Sequence, residues 1–211
     1  METFVIAEAG SNHNRSFKKA IELIDVAKKA DATAVKFQTA SAETLYAVNT
    51  PSIAGTKNVR KLIKEIEIPR EWQLDLKKHC DSIGIEFMST PFDERAVDQL
   101  YDLGVKRFKI AGFEATDPRF VKYVASTGLP IIISLGIGTS LKTIDQINSW
   151  VFQVNKTADV SYLHCNNAYP TPFEDINLGQ MLSISKKVKK VGLSDHTEGI
   201  LIPPVAVSLG A

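Results

Sequence analysis

Seven short apolar runs recur along this chain, at residues 4–8 (FVIAE), 34–38 (AVKFQ), 85–89 (IEFMS), 107–110 (RFKI), 131–134 (IIIS), 160–165 (VSYLHC) and 190–193 (KVGL). They are rich in Val, Ile and Phe and lack strict alternation, which is the pattern of strands buried on both faces of a parallel sheet. Between them, apolar residues fall at helical spacing: Phe17, Ala20, Ile21, Ile24 and Ala27, then Trp72, Leu76, Cys80 and Ile83, then Leu141, Ile144, Ile147 and Val151. Each set makes one apolar stripe on a helix. Parallel neighbours need a crossover connection, and a helix packed back on the sheet supplies it, so the alternation predicts an α/β fold of about seven βα units.

The punctuation agrees. Asp93 and Asp117 suit helix N-caps, Pro69 and Pro118 the first helical turn, and Gly104 and Gly128 left-handed helix ends. A last helix is expected over 204–210, after Pro203 and Pro204.

A parallel sheet can close into a barrel or stay open and doubly wound, and the position of the polar residues separates the two. A barrel collects its chemistry at the carboxyl ends of many strands, whereas an open sheet concentrates it at one crevice. Here nearly every run ends in reactive groups: Glu8 with Asn12 and His13, Lys36 with Gln38, Ser89 with Thr90, Lys109 with Glu114 beyond, Ser134, His164 to Tyr169, and Ser194 to His196. That distribution predicts a TIM-type (β/α) barrel of about seven units, with its site at the carboxyl ends of the strands. The 211 residues are read as a single domain, 1–211.

Composition narrows the partners. A formal charge of +1 provides no broad positive field for nucleic acid or an anionic membrane, so an anionic ligand must be met by local charges. No apolar run approaches the length of a membrane span, and the start METFVIAEAGSN reaches an acidic residue too early for a signal peptide. Cys80 and Cys165 share no Cys-x-x-Cys spacing and sit among apolar neighbours, which fits reduced thiols in a cytoplasmic protein.

Lys36 and Lys109 each interrupt an apolar strand. An ammonium there must be paired or face a polar cavity. Its partner can be a ligand phosphate or carboxylate, or a structural carboxylate such as Glu8. Desolvation also lowers a lysine pKa, so either could form a Schiff base. His196, in Ser-Asp-His-Thr, fits a metal ligand or an acid/base group. The glycine-rich GIGTS at 136–140 could open a phosphate-binding helix N-terminus. Cys165 adjoins His164, and a catalytic thiol with His164 as its base is one reading, but successive strand residues face opposite ways, which favours a packed, inert cysteine. Tyr169-Pro170-Thr171-Pro172 is a stiff loop carrying an aromatic ring suited to a sugar.

The stretches AEAGSNHN (7–14), VKFQT (35–39), FMSTPFD (87–93), FKIAGFEATD (108–117), LHCNNAYPTPFEDINL (163–178) and GLSDHTEGI (192–200) occur here in that order. Together they resemble the sialic acid (N-acetylneuraminate) synthases and their legionaminic and pseudaminic acid relatives, over the whole chain. The resemblance implies a (β/α)8 barrel that condenses phosphoenolpyruvate with an N-acetylated aminosugar such as N-acetylmannosamine, releasing phosphate. It implies a divalent metal, manganese or magnesium, and a homodimer for the full-length protein. By motif position, Lys109, Thr90, Ser134, Asn167 and Ser194 resemble phosphoenolpyruvate contacts. Lys36, Gln38 and Tyr169 resemble groups near the reacting centre and the sugar. His196 resembles a metal ligand and Glu8 the carboxylate beside the metal.

Two departures from the family stand out. Gly112 replaces a Ser that in relatives hydrogen-bonds phosphoenolpyruvate. The family's eighth strand, with a second metal-binding His, and its C-terminal antifreeze-like domain have no counterpart in 1–211. Two other readings therefore stay open: a catalytically silent truncated barrel that keeps ligand binding or subunit association, and a Schiff-base lysine aldolase acting on sugar acids.

Overall fold

The computed structural model describes residues 3–51, 56 and 58–211. The chain divides into two compact units, one running to Lys106 and the other from Arg107 to Ala211. Every strand ladder is parallel, as the apolar runs predict.

In the first unit, β1 (Ile6–Gly10), β2 (Ala34–Thr39) and β3 (Glu86–Pro91) form a sheet in the order β1-β2-β3. The helix Phe17–Lys29 connects the first pair and turns Ala20, Ile24 and Ala27 into the core. The helix Gln73–Ile83 leads into β3 and buries Leu76 and Cys80. Phe37 and Phe87, on neighbouring strands, stack with ring centroids 6.0 Å apart. A register shift between Glu8 and Gly10 bends β1, with Gly10 in the left-handed region at φ 52°. Helix Glu94–Asp102 begins at Asp93, whose side chain accepts from Ala96 N, as its N-cap position predicts.

In the second unit, β4 (Phe108–Ile110), β5 (Ile131–Leu135), β6 (Val160–Cys165) and β7 (Val191–Ser194) pair in the order β4-β5-β6-β7. Helices Pro118–Ser126, Leu141–Val154 and Gly179–Ser185 make the crossovers. Asp117 caps the first of these through Arg119 N and Phe120 N, with Pro118 in its first turn. Gly104 and Gly128 follow helix ends at φ 79° and 78°, an angle that costs glycine nothing.

Within each sheet the strand order follows the chain with no reversal, so neither contains the switch point of an open doubly wound fold. The ladders fall into sheets of three and four strands rather than one run of seven. The last helix also departs from expectation. It spans Ile202–Ser208, with Pro203 and Pro204 inside its first turn, where a missing backbone N–H leaves no hydrogen bond unmade.

Packing predicts a sharp contrast between two apolar positions. Ile133 is fully buried in β5, while Val26 is 64% exposed on its helix. Ile133→Ala should lower unfolding free energy in urea by about 2–5 kcal/mol, and Val26→Ala should change it by less than about 0.5 kcal/mol. Equal effects would show that β5 is not a core strand.

Candidate functional site

The residues singled out in the sequence gather into two clusters, one on each unit. On the first unit, register places Glu8 beside Lys36 and Gln38 beside Thr90, all on one face of the sheet. Lys36 forms an ion pair with Glu8 and donates to Thr90 Oγ1 at 3.2 Å. Gln38 Nε2 donates to Glu8 Oε1 at 3.2 Å. Only 12% of the Lys36 side chain is exposed, against 45% for Glu8, so the carboxylate carries the pair's polarity towards solvent. Of the partners weighed for Lys36, the structure shows the carboxylate. Behind this face, Gln73 Nε2 donates to Thr39 Oγ1 at 2.6 Å, and Thr39 shares a 2.7 Å hydrogen bond with Ser89. That buried chain fixes the carboxyl ends of β2 and β3 against the helix that starts at Gln73.

His13 is not a reactive group. It is 1% exposed between Phe37 and Trp72, and its Nδ1 accepts from Arg15 N at 3.0 Å. Burial lowers its pKa, which keeps the ring neutral, as an accepting nitrogen requires.

On the second unit, Lys109 is 5% exposed and Ser134 is 2% exposed. The Lys109 ammonium donates to Ser134 Oγ at 2.6 Å and to the Ile110 carbonyl at 3.0 Å. Ser134 lies two residues beyond Ile132, the register partner of Lys109, so both side chains share one face. Asn167 Oδ1 accepts from Ile137 N at 2.5 Å. A Cβ at Gly136 would overlap that amide, which explains the glycine there. Gly112 is explained in the same way. Its Cβ would stand 3.1 Å from both Cα and N of Gly136, so a serine would force two loops apart by a few tenths of an ångström. The GIGTS helix start is satisfied internally, since Ser140 N donates to Thr143 Oγ1 at 2.9 Å. A cavity of about 140 Å³ beside it is lined by Gly136, Thr139, Ser140, His164 and Gln180, among others.

His196 is held on three sides. Its Nδ1 lies 2.6 Å from the Asn166 carbonyl, which can only accept, so Nδ1 carries a proton. The Tyr169 ring lies 4.1 Å away, centroid to centroid. Its own carbonyl accepts from Thr171 N at 2.8 Å. Cys165, opposite Ser194 in the ladder, is a further neighbour. Burial raises the Cys165 pKa, but hydrogen bonding and charge from His196, with help from Ser194 and Lys109, outweigh it and hold the thiol below its ordinary value. His196 moves the other way, with burial opposing and Cys165 and the Asn166 carbonyl raising it. The imidazole that acts on this thiol is therefore the one on the neighbouring strand's loop, while the thiol itself donates to the Asn166 carbonyl at 3.7 Å. His164 faces the other way, and its Nε2 bonds the Ile176 carbonyl at 2.7 Å.

A metal needs several ligands. The His196 ring is oriented through Nδ1 by the Asn166 carbonyl, as the rings of metal-ligating histidines are by their outer partners. Among the described residues, no group of three or more His, Cys, Asp and Glu side chains is placed to hold an ion.

The comparisons with known proteins fit this arrangement. Residues 23–211 match the NeuB family. The chain belongs to the NeuB family. It is 40% identical to an N,N'-diacetyllegionaminic acid synthase of Legionella pneumophila, covering 100% of this chain and 62% of that protein. It is 30% identical to the human N-acetylneuraminate-9-phosphate synthase, covering 99% and 59%. The crystal structure of an N-acetylneuraminic acid synthetase from Leptospira borgpetersenii, in complex with citrate, superposes with a TM-score of 0.91 at 33% identity, over 100% of this chain and 71% of that one. A truncated 3-deoxy-D-arabino-heptulosonate 7-phosphate synthase from Thermotoga maritima, at 12% identity and a TM-score of 0.68, shares the fold. The chain thus spans about three fifths of the length of these two synthases.

The two cysteines should differ in reactivity. Burial pushes the Cys80 thiol up to about 12, whereas Cys165 is lowered, and alkylation follows the thiolate fraction. At neutral pH, iodoacetamide should modify Cys165 well before Cys80, and His196→Ala should slow Cys165 several-fold. Equal rates, or no effect of the substitution, would remove the His196–Cys165 pairing.

Proposed function

We propose that this chain carries the phosphoenolpyruvate site of a nonulosonic acid synthase, which condenses that substrate with an N-acetylated aminosugar, N-acetylmannosamine or a relative, to a nine-carbon sugar acid. The observation that carries the reading is the buried Lys109 ammonium bonded to Ser134. A fixed cation with neutral hydroxyl and amide neighbours is what a multiply charged enol phosphate requires. Ser134, Asn167 and Ser194 supply direction, and Thr90 resembles a further phosphoenolpyruvate contact by motif position. The relatives' printed activities, legionaminic acid and N-acetylneuraminate-9-phosphate synthesis, support the product class.

In this reading the methylene carbon of phosphoenolpyruvate bonds to the sugar aldehyde carbon, and the aldehyde oxygen takes a proton. Water then adds to the oxocarbenium carbon and loses a proton, and the resulting hydroxyl gives its proton to the departing phosphate as the carbon–oxygen bond breaks and the carbonyl forms. Lys109 holds the phosphoenolpyruvate anion through these steps. Lys36 and Gln38, tied to Glu8, hold the reacting face, and Glu8 accepts or returns a proton. Tyr169 covers the sugar. His196 would be one ligand to a bound manganese or magnesium ion, which would polarise the aldehyde. The sugar substrates and the free thiols suit a cytoplasmic enzyme, and no helix among the described residues is long and apolar enough to cross a membrane.

Both lysine amines are held by fixed acceptors, Lys36 by Glu8 and Lys109 by Ser134 and a carbonyl, an arrangement that suits the ammonium state. That state favours anion binding over Schiff-base formation, which needs a neutral amine.

Lys109→Met should weaken phosphoenolpyruvate binding about 100-fold or more, the effect of removing one partner of a buried charged pair, with the fold intact by circular dichroism. In a protein of the relatives' full length, phosphate release with a panel of N-acetylated aminosugars should fall to background in the same variant. Unchanged binding and turnover would take Lys109 out of the site.

A further inference from the structure

The turn Arg70–Trp72 and the first residue of the helix Gln73–Ile83 touch the chain at the carboxyl ends of all three strands of the first unit. Trp72 lies edge-on to His13, beyond β1, with ring centroids 6.2 Å apart. Arg70 Nη2 donates to Asp93 Oδ2 at 2.7 Å, beyond β3. Gln73, 1% exposed, reaches the end of β2 through the 2.6 Å bond from its Nε2 to Thr39 Oγ1, and Thr39 passes the contact to Ser89 in β3. The other end of the amide, Gln73 Oε1, is buried and has no hydrogen-bond partner among the described residues. Such an orphaned acceptor costs stability, and apolar side chains of the same shape would fill the space without that cost. What they would lack is direction, because a buried hydrogen-bonded chain specifies one arrangement of the groups it joins.

The groups that gain from a fixed arrangement lie on the opposite face of the same strand ends. Gln38 precedes Thr39, Thr90 follows Ser89, and Gln38 and Thr90 are register partners. Lys36 donates to Thr90 Oγ1, and Gln38 donates to Glu8. We propose that Gln73 is a positioning residue, which through Thr39 and Ser89 holds the ends of β2 and β3 so that Thr90 and Gln38 stand where phosphoenolpyruvate needs them. This rests on the phosphoenolpyruvate reading and adds to it a residue on the far side of the sheet from the reacting groups. The buried chain Gln73–Thr39–Ser89 thus serves binding at the expense of stability, and the two respond separately when it is made apolar.

The test compares the wild-type chain, Gln73→Leu and the triple variant Gln73→Leu/Thr39→Val/Ser89→Ala. Each is followed by urea unfolding, by amide hydrogen exchange and by calorimetric titration with phosphoenolpyruvate. Gln73→Leu should bind about tenfold more weakly, with faster exchange confined to the ends of β2 and β3. The triple variant leaves none of the three positions with an unpaired polar group, so its urea midpoint should return to the wild-type value or above while its affinity stays low. Thr90→Val should also bind about tenfold more weakly, and adding Gln73→Leu to it should cost less than Gln73→Leu costs alone, since both act on one contact. If Gln73→Leu unfolds, the triple variant carries the comparison. Wild-type affinity in folded Gln73→Leu, affinity that recovers along with stability in the triple variant, or full additivity with Thr90→Val makes Gln73 a packing residue and leaves the phosphoenolpyruvate site standing. Loss of folding in both variants makes the chain a determinant of the fold and likewise overturns the proposal. No binding by folded wild-type chain overturns both readings.

Discussion

Strands buried on both faces leave few places for a polar side chain, and the structure depends on that restriction. In β4 and β5 the burial is nearly complete, with Phe108, Ile110 and Ile133 at zero exposure. An ammonium placed there, Lys109, persists because Ser134 and the Ile110 carbonyl accept from it. Removing water from such a group strengthens its attraction for an anion and raises the cost of leaving it unpaired. The loops beyond the carboxyl ends then hold the remaining polar groups. Asn167 over Gly136 and His196 against Asn166 are both fixed by backbone hydrogen bonds rather than by chance packing.

How much of this was legible in the sequence varies by element. The strands 34–39 and 160–165 stand out because their β-branched runs end abruptly in polar residues. The start of β1 was less clear, since Phe4 and Val5 extend the apolar run yet are 37% and 50% exposed. The helix Val59–Ile66 was missed although Val59, Leu62, Ile63 and Ile66 carry a helical stripe. Its weak burial, with Leu62 39% exposed, shows why the stripe gave little contrast.

Candidate residues were legible wherever a charge interrupted an apolar run, as at Lys36 and Lys109. Their partners were less so, because cross-strand register is not a local property. Ser134 lies 25 residues from Lys109, and the Asn166 carbonyl that orients His196 lies 30 residues away. Cys165 illustrates the same limit, for its imidazole partner comes from the neighbouring strand's loop rather than from the adjacent His164. Gly112 departs from the family pattern for a reason that becomes visible only when Gly136 is seen to press against it.

The central claim is that the Lys109–Ser134 pair is built to receive an enol phosphate. A crystal structure of the chain with phosphoenolpyruvate tests it most directly. The account predicts an oxygen of the ligand within hydrogen-bond distance of Lys109 Nζ and Ser134 Oγ, with Asn167 and Ser194 beside it. Ordered phosphoenolpyruvate bound elsewhere, with the Lys109–Ser134 pair untouched, would contradict it.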